Sequence, residues 1–503
     1  MNNQQNKIKM VLGRCASGKT EEMIQYIKKV KHHKQFIIAL PTKAVISEVT
    51  KRLDTAGIQY SSINGDNHDA VISNLVESII SNQQIIVCTH KSLELVEVSA
   101  RNYDLIIDEQ PSVIELNQVQ VGESHFNEVD SFAHEVNGVI KSKITQNELD
   151  VSIADKEADD VFATAFCEFV KSVKASSFDK TNNTVIIQEA DGDTDRRYGI
   201  VKLSLLLGNM KNYKSVTVMT ADNMKGLFGS LCRAGNIQRA EANFANNLPD
   251  TFENEVKIVP LLSTATRGNF NKVEDGVTNQ ERMIKLCLEN GCRLFMTNSD
   301  NKHKQLIHKL ANKHGVEVEV INPICHGRDD LKKYHKIGVI YTDKGQPAVR
   351  KALRYLDGST TNSPLHEAYL ISKYFDVIYQ TVSRTCVRNI NDKRVAEFYV
   401  PDVAAAEYLK ERFVNAEIDL SLKLDITDKR TDPTRSAIGE LFRGHSKTKY
   451  IQFNRWMKNN LEKVNLEDSS HFEYGQAYLG KHNKAKGLKG ASACKVVKKL
   501  KEA

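Results

Sequence analysis

Short apolar runs alternate with amphipathic stretches through residues 7–116. Each run has the length of a buried strand, and the stretches between them repeat their apolar residues with helical spacing. The predicted strands are Ile8–Leu12, Phe36–Leu40, Gln59–Ile63, Ile85–Cys88 and Leu105–Ile107, with helices near Glu21–Lys31, Ala44–Ala56 and Ala70–Ile80. This alternation predicts a parallel sheet with helices on its faces.

The same alternation returns between about Val256 and Asp402. Strands are predicted at Lys257–Leu261, Arg293–Thr297, Val316–Ile321, Ile337–Tyr341 and Glu397–Val400. Helices are predicted near Asn279–Glu289, Lys302–Lys313, Pro347–Leu356 and Pro364–Gln380. The chain therefore contains two α/β regions.

Residues from about 117 to 210 interrupt the pattern. They are rich in Asp and Glu, with an amphipathic segment at about Lys156–Ala175 and a small β element near Thr184–Glu189. Ser215–Met219 then has the composition of another core strand. We therefore predict a mostly helical insertion in the first α/β region.

The residues after the first predicted strand have the spacing of a phosphate-binding loop, G-x-x-x-x-G-K-T. The loop comprises Gly13, Arg14, Cys15, Ala16, Ser17, Gly18, Lys19 and Thr20. Glycines let backbone N–H groups curl around phosphates, Lys19 can reach the β and γ oxygens, and Thr20 can ligate Mg²⁺. The helix that follows directs the positive end of its dipole at the same anion. The loop predicts binding of a nucleoside triphosphate.

A pair of carboxylates, Asp108 and Glu109, follows the apolar run Leu105–Ile107. In an open α/β sheet, ligands lie at the carboxyl ends of the strands, which is where this pair is predicted to lie. Asp108 could hold Mg²⁺, and Glu109 could orient and deprotonate an attacking water. A solvated strand end is the alternative for the pair taken alone.

The stretch YQTVSRTCVRN, Tyr379–Asn389, brings a possible partner for the loop from the second region. Gln380, Arg384 and Arg388 are four residues apart and would share one face of a helix. A planar guanidinium matches the charge spread of phosphoryl transfer, so one arginine could act in trans on the γ-phosphate. A surface helix with two solvated arginines is the alternative.

Charge and cysteine content add two points. The net charge of +7 resides in the tail, residues 481–503, which holds eight lysines and one glutamate. This tail suits nucleic acid or another acidic partner, or it is a solubilising end. Nine cysteines without a C-x-x-C pair predict reduced thiols in a cytoplasmic protein. We expect the cytoplasm, or the host cytoplasm if the protein is viral, and no membrane-spanning segment.

These motifs resemble superfamily 2 nucleic-acid helicases and translocases of the DExD/H-like type. GRCASGKT resembles motif I and DEQP motif II, and both are specific. The shorter matches are LPTK (Leu40–Lys43, motif Ia), CTHKS (Cys88–Ser92), MTAD (Met219–Asp222, motif III), FMTNSD (Phe295–Asp300, motif IV), HGRDDLKKY (His326–Tyr334, motif V) and the Gln/Arg stretch (motif VI). The pattern suggests a divergent member of the phage or plasmid type.

The resemblance implies an α/β chain with two RecA-like P-loop domains in tandem. We expect the first domain at 1–225 with the insertion, the second at 226–402, and a small basic carboxyl-terminal region at 403–503. That last region holds Trp456, either as part of a nucleic-acid surface or in a small core with Phe442 and Phe453.

The resemblance also implies roles for residues. Lys19, Glu109, Gln380, Arg384 and Arg388 would be catalytic. The family usually spaces the two arginines three apart, whereas here they are four apart, so the arginine finger could be Arg384 or Arg388. Arg388 is favoured, with Arg384 as a second phosphate contact. ATP and Mg²⁺ would be the cofactors, with Thr20 and Asp108 as metal ligands. Nucleic acid would contact Pro41, Thr42, Lys43, Thr89, His90, Lys91 and Thr297, and Thr220 and Asp222 would couple ATP state to it. Helix capping or turn chemistry is the alternative for each contact residue.

The predicted function is therefore an ATP-dependent helicase or translocase acting on single-stranded or forked DNA, or on RNA, in replication, recombination or repair. Three alternatives are a double-strand translocase or remodeller, a nucleotide-switched loader or adaptor, and a metabolic kinase. The insertion is a candidate docking site for another protein. We favour a monomer.

Overall fold

Two parallel sheets form the framework of the chain. The computed structural model describes residues 7–424 apart from 67–69, 97, 159–163, 179–183, 192–194, 205, 222–223, 246–247, 324–327, 360–362 and 390. The described residues belong to one compact unit. Trp456 and the lysine-rich tail, 481–503, lie outside the described residues.

The first sheet has seven parallel strands in the order β12-β1-β11-β5-β2-β4-β3. Its strands are β1 (Lys7–Leu12), β2 (Gln35–Leu40), β3 (Ser61–Ile63), β4 (Ile85–Thr89), β5 (Ala100–Asp108), β11 (Tyr213–Thr220) and β12 (Gln238–Glu241). The helices that accompany it are α1 (Lys19–Val30), α2 (Lys43–Thr55), α3 (Val71–Ile80), α4 (His90–Glu94), α8 (Leu206–Asn209) and α9 (Leu227–Ala234). The central strands are buried on both faces, which explains their continuous Ile, Leu and Val runs.

The second sheet has six parallel strands in the order β17-β16-β18-β19-β13-β20. Its strands are β13 (Phe252–Leu262), β16 (Leu294–Thr297), β17 (Glu319–Ile321), β18 (Lys336–Ile340), β19 (Ala396–Asp402) and β20 (Phe413–Ile418), with the small hairpin β14 (Val273–Glu274) and β15 (Val277–Thr278) beside it. Its helices are α10 (Arg267–Phe270), α11 (Asn279–Glu289), α12 (Asn301–Lys313), α13 (Pro347–Asp357), α14 (Pro364–Leu370), α15 (Asp376–Val382) and α16 (Val403–Lys410). A π-helical segment, Ile371–Phe375, joins α14 to α15.

The two sheets have the same topology. If β3 is set aside, the order β12-β1-β11-β5-β2-β4 corresponds strand for strand to β20-β13-β19-β18-β16-β17. Strand β13 therefore takes the place of β1, and β19 takes the place of β11. The predicted fold class is confirmed: the chain is an α/β protein with two RecA-like domains in tandem.

The insertion contains more β structure than the sequence predicted. Strands β6 (Ile114–Gly122), β9 (Thr184–Asp191) and β10 (Asp195–Leu203) form a three-stranded antiparallel sheet, and β7 (Ala133–Val136) pairs with β8 (Val139–Ser142). Helices α5 (Phe126–Phe132), α6 (Gln146–Ala158) and α7 (Thr164–Phe178) complete it. β6 and β10 alternate apolar and polar residues only in part, which is why the prediction found one β element rather than three strands.

One apolar cluster extends from the first sheet through the insertion to α13. Val185 and Val201 of the antiparallel sheet pack in the same cluster as Val349 and Leu353 of α13 and Ile107 of β5. Burying an aliphatic side chain contributes about 1.5–3 kcal/mol. Residues that follow the second sheet's β18 are thus anchored on the first domain and its insertion.

The predicted domain boundaries need correction at both ends of the second domain. Strand β12 lies after the predicted boundary at 225, yet it pairs in parallel with β1 of the first sheet. Strand β20 lies after the predicted boundary at 402, yet it pairs with β13 of the second sheet. Both are short edge strands of mixed polarity, so their apolar pattern gave no signal.

In the part of the chain that the structure describes, no helix is long and apolar enough to cross a bilayer. The cysteines within these residues are free thiols, and most of them are buried.

Candidate functional site

The phosphate loop connects β1 to α1 and needs glycine at two positions. Gly18, which precedes α1, has a φ of 92°, a conformation that residues with a Cβ rarely adopt. At Gly13 a Cβ would lie 2.8 Å from Ser17 Oγ and 2.9 Å from Leu248 Cβ, so a side chain would displace the loop. Ala16 also has a positive φ, of 58°. The loop is therefore held in one tightly curled conformation.

The Lys19 ammonium group lies within the loop. Its Nζ donates to the carbonyl oxygens of Gly13 and Arg14, each at 2.8 Å. Burial lowers the pKa of Lys19, and the neighbouring charges of Asp108 and Glu109 oppose that shift. The positive charge is thus placed beside the carboxylate pair, where it can reach a phosphate that enters the loop.

Thr20 and Asp108 come together at the carboxyl edge of the first sheet. Thr20 Oγ1 donates to Asp108 Oδ2 at 3.4 Å, and Asp108 is 7% exposed. Mg²⁺ is usually held by one or two protein oxygens together with substrate phosphates. A hydroxyl and a carboxylate at this separation fit such an ion.

Glu109 has a strained backbone conformation. Its φ is 66°, and its N–H donates to the Met219 carbonyl of β11 at 2.9 Å. A non-glycine residue in this region carries a cost of order 1 kcal/mol, and such residues cluster at functional sites. The strain fits the role predicted for Glu109 at the end of β5.

Strand β11 supports the loop through its backbone. Gly13 N–H donates to the Thr220 carbonyl at 3.3 Å, and the Thr220 side chain is buried. Thr220 is thus in contact with the loop, as a coupling residue would be. Asp222, the other predicted coupling residue, lies outside the described residues.

The second domain contacts the loop directly. Cys15 N–H donates to the Tyr379 hydroxyl at 3.3 Å, and the Arg14 guanidinium lies 4.2 Å from the centre of the Phe252 ring. Arg412 donates to the carbonyl of Ala221 at 3.5 Å. Burial raises the pKa of the Cys15 thiol, and the charges of Lys19 and Arg384 oppose this shift.

The predicted single-faced helix of Gln380, Arg384 and Arg388 is wrong. Helix α15 ends at Val382, so Gln380 is helical, Arg384 lies in the turn that follows, and Arg388 ends a 3₁₀ turn. Arg384 is 9% exposed. Arg388 instead forms an ion pair with Asp329. Arg388 is therefore already engaged by a carboxylate, and Arg384, five residues after Tyr379, is the better candidate for a contact with the loop.

Several predicted nucleic-acid contacts have structural partners. Thr42 accepts from Val45 N–H at 3.3 Å and caps α2, and Thr89 accepts from Ser92 N–H at 3.0 Å and caps α4. His90 Nε2 lies 2.9 Å from the Asp108 carbonyl oxygen. Both threonines thus act as helix N-caps, the alternative role expected for them.

The remaining predicted contacts differ in exposure. Lys43 is exposed and pairs with Asp66 at 2.6 Å, and Lys91 is exposed and pairs with Glu115 and Glu94. Pro41 is half-buried at the end of β2. Thr297 has no exposed surface, so its side chain cannot touch a bound strand in this conformation.

The sequence did not predict one contact of the site, and it predicted motif V at the wrong place. Tyr379 immediately precedes Gln380, yet nothing in its local pattern indicated a contact with Cys15. The stretch taken for motif V precedes β18, since its 3₁₀ turn spans Asp329–Lys333, and its His326 lies outside the described residues. Thr342, just after the carboxyl end of β18, lies where ligands bind in open α/β sheets. The end of the predicted strand Ile337–Tyr341 could have indicated this position, because Thr342 follows it directly.

Known proteins resemble this chain in the sequence of its first part and in fold. Residues 3–142 match the family model described as DEAD/DEAH box helicase. Among solved structures, the chain is similar to Xpd4 of S. tokodaii (13% identity, 82% of this chain and 96% of that chain, TM-score 0.45). It is also similar to an XPD helicase (10% identity, 83% and 96%, TM-score 0.48) and to Mycobacterium smegmatis helicase Lhr bound to ssDNA and AMP-PNP (11% identity, 86% and 48%, TM-score 0.33). No curated protein matches the sequence.

The fold and the loop define a P-loop nucleotide-binding protein with two RecA-like domains. The match over residues 3–142 includes the loop, both carboxylates and the helix caps at Thr42 and Thr89. Within that class, residues 3–142 are similar in sequence to DEAD/DEAH box helicases, and motifs I and II of the resemblance lie in this part of the chain.

Proposed function

We propose that this protein is an ATP-dependent helicase or translocase that moves along nucleic acid and unwinds it, with DNA favoured over RNA as its track. The observation that carries the proposal is the contact of the second domain with the phosphate loop, through Tyr379 and Phe252. A motor needs such a contact, because binding and hydrolysis of the nucleotide must change the relative position of the two domains that hold the nucleic acid.

Each residue of the site has a part in the proposed reaction. Lys19 holds the β and γ phosphates, and Thr20 and Asp108 would hold Mg²⁺, which would neutralise charge on the phosphates. Glu109 orients and deprotonates the attacking water. Arg384 approaches the γ-phosphate from the second domain and stabilises the charge that spreads over its oxygens.

Hydrolysis would be linked to movement by closure and opening of the two domains. The loop is tied to β11 through Thr220 and to the second domain through Tyr379. Entry of a phosphate must rearrange the contact at Cys15, since its N–H is one of the donors that would bind the phosphate. Release of phosphate would restore that contact.

Steady-state ATP hydrolysis tests the proposal. It is measured alone and with single-stranded DNA, duplex DNA and single-stranded RNA, for the wild type and Glu109→Gln. We expect strong stimulation by at least one polymer and loss of turnover in the variant. Glu77→Gln, which alters an exposed carboxylate on α3, is the matched control and should hydrolyse ATP at the wild-type rate.

The outcomes separate the alternatives. Stimulation by duplex alone, without strand displacement, would indicate a double-strand translocase or remodeller. A rate of ATP hydrolysis that none of the polymers changes would contradict the proposal of a motor and favour a nucleotide-switched loader.

A further inference from the structure

The outward face of α13 combines positive charge with an exposed aromatic ring. Arg350, Lys351 and Tyr355 are exposed, with Tyr355 at 44%, and Arg354 is half-exposed. Positions four apart on a helix are neighbours, so Arg350 lies beside Arg354 and Lys351 beside Tyr355. This group is the α13 outer face.

The positive charges of the α13 outer face have no carboxylate partner in the described part of the chain. The side chains of Arg350, Lys351 and Arg354 make no hydrogen bond or ion pair there, and the buried Nε of Arg354 has no acceptor. The only acidic residue of the helix, Asp357, accepts from Ser359 and Ser363 instead. Lys43 and Lys91 of the first domain, by contrast, are paired with carboxylates.

A partly buried histidine, His366, lies on α14, the helix that packs against α13. Burial lowers the pKa of His366 and the charges of Arg350 and Arg354 lower it further, whereas the Lys344 carbonyl and the charge of Glu367 oppose the shift. An anion bound at the α13 outer face would relieve this repulsion.

The opposite face of α13 fixes the helix in place. Ala348, Val349, Ala352 and Leu353 are buried in the cluster that includes the antiparallel sheet of the insertion. The helix begins with Pro347 shortly after the carboxyl end of β18, the edge at which ligands bind in open α/β sheets. The α13 outer face is thus presented on a rigid support.

We propose that the α13 outer face binds single-stranded nucleic acid, with Arg350 and Arg354 on phosphates and Tyr355 stacked on a base. This inference rests on the proposed function and assigns part of the surface that binds its nucleic acid. Cationic side chains with an exposed aromatic ring are the composition of single-strand surfaces, because every base has a face on which a ring can stack. An acidic peptide would engage the arginines but would leave the ring of Tyr355 without a role.

The test is fluorescence anisotropy with labelled oligothymidylate, oligouridylate and a DNA duplex at several salt concentrations. Tyr355→Ala should weaken single-strand binding about tenfold, and Tyr355→Phe should retain it, because stacking needs the ring and not the hydroxyl. The double variant Arg350→Gln/Arg354→Gln should reduce the slope of log K against log salt by about 1.4, from roughly 0.7 per phosphate contact.

Two controls match these changes. Phe178→Ala removes an exposed ring at the insertion, and Arg282→Gln removes an arginine already paired with Glu274. Both should bind the single strands as the wild type does. Circular dichroism checks that each variant is folded.

Distinct results would overturn the inference and the proposed function. Wild-type binding that is unchanged in the Tyr355 and arginine variants would overturn the α13 surface alone. An equal loss on duplex in Tyr355→Ala would overturn stacking on an unpaired base. A wild-type protein that binds none of the three polymers would overturn both proposals.

Discussion

The carboxyl edges of the two sheets share a topology but differ in what fills the loop after the first strand. In the first domain, the loop after β1 leaves Cys15 N–H with a neutral hydroxyl at 3.3 Å. In the second domain, the loop after β13 donates Ala265 N–H to the Asp402 carboxylate at 2.8 Å. Asp402 is fully buried, also accepts from Ala405 N–H at 3.0 Å, and pairs with Lys344.

The second edge therefore carries its own anion where the first would receive a phosphate. Asn298 and Thr342 close it further by exchanging two hydrogen bonds at 3.2 Å each. A shared RecA-like topology thus makes two similar edges, and the loop chemistry decides which of them binds an exchangeable ligand. The difference is clearest at two lysines: Lys19 lies where a phosphate would bind, whereas Lys344 already pairs with the Asp402 carboxylate.

The largest effect is expected from the lysine of the binding edge. Lys19→Ala should lower ATP turnover by more than about 10³-fold, because its charge both holds the β and γ phosphates and stabilises the transferring phosphate. The free energy of unfolding should change little. Lys28→Ala, an exposed lysine on the same helix, is the control for a coupled ATPase assay and a urea melt. Turnover at the wild-type rate in Lys19→Ala would contradict the assignment of the site.

The next largest effect should come from Arg384, the arginine of the second domain that is proposed to contact the γ-phosphate. Arg384→Gln should slow turnover about 10³-fold while nucleotide binding changes little, because an arginine finger acts on the transition state. Arg388→Gln, whose ion pair with Asp329 is removed, should slow it tenfold or less. Single-turnover hydrolysis measures both. The reverse order of effects would restore Arg388 as the finger.

The lysine of the closed edge should affect stability rather than catalysis. Lys344→Ala leaves Asp402 as a buried carboxylate without its ion-pair partner, so the free energy of unfolding should fall by about 3–5 kcal/mol. Lys257→Ala, which breaks an exposed pair with Asp419, should cost about 1 kcal/mol or less. Urea denaturation measures the two variants. Equal costs would contradict the view that Asp402 acts as a built-in anion.

The smallest effect concerns the weak partner of Cys15. Tyr379→Phe removes the hydroxyl that competes for this N–H, so binding of a non-hydrolysable ATP analogue should tighten about two- to tenfold, from a hydrogen bond of about 0.5–1.5 kcal/mol. Isothermal titration calorimetry measures the change. Tyr369→Phe, whose hydroxyl donates to Asp343 at 3.1 Å, should bind as the wild type does. Weaker binding in Tyr379→Phe would show that the hydroxyl assists the nucleotide.

Much of the first domain could be predicted, because its signals are local. Strands β2 and β4 and the carboxyl-terminal half of β5 are buried on both faces and therefore appear as apolar runs. The loop is recognisable because its glycines and its Lys-Thr pair must follow one another at fixed spacing. Edge strands β12 and β20 are only partly buried, and their residues carry no such pattern.

The chain by itself determined two α/β halves, one phosphate loop and the carboxylate pair at the end of β5. Tertiary structure alone decided that Tyr379 meets Cys15, which is 364 positions away, and that Arg388 pairs with Asp329. It also placed α13 on the insertion. The reason is that spacing fixes contacts within a few residues, whereas contacts between domains depend on how whole sheets pack.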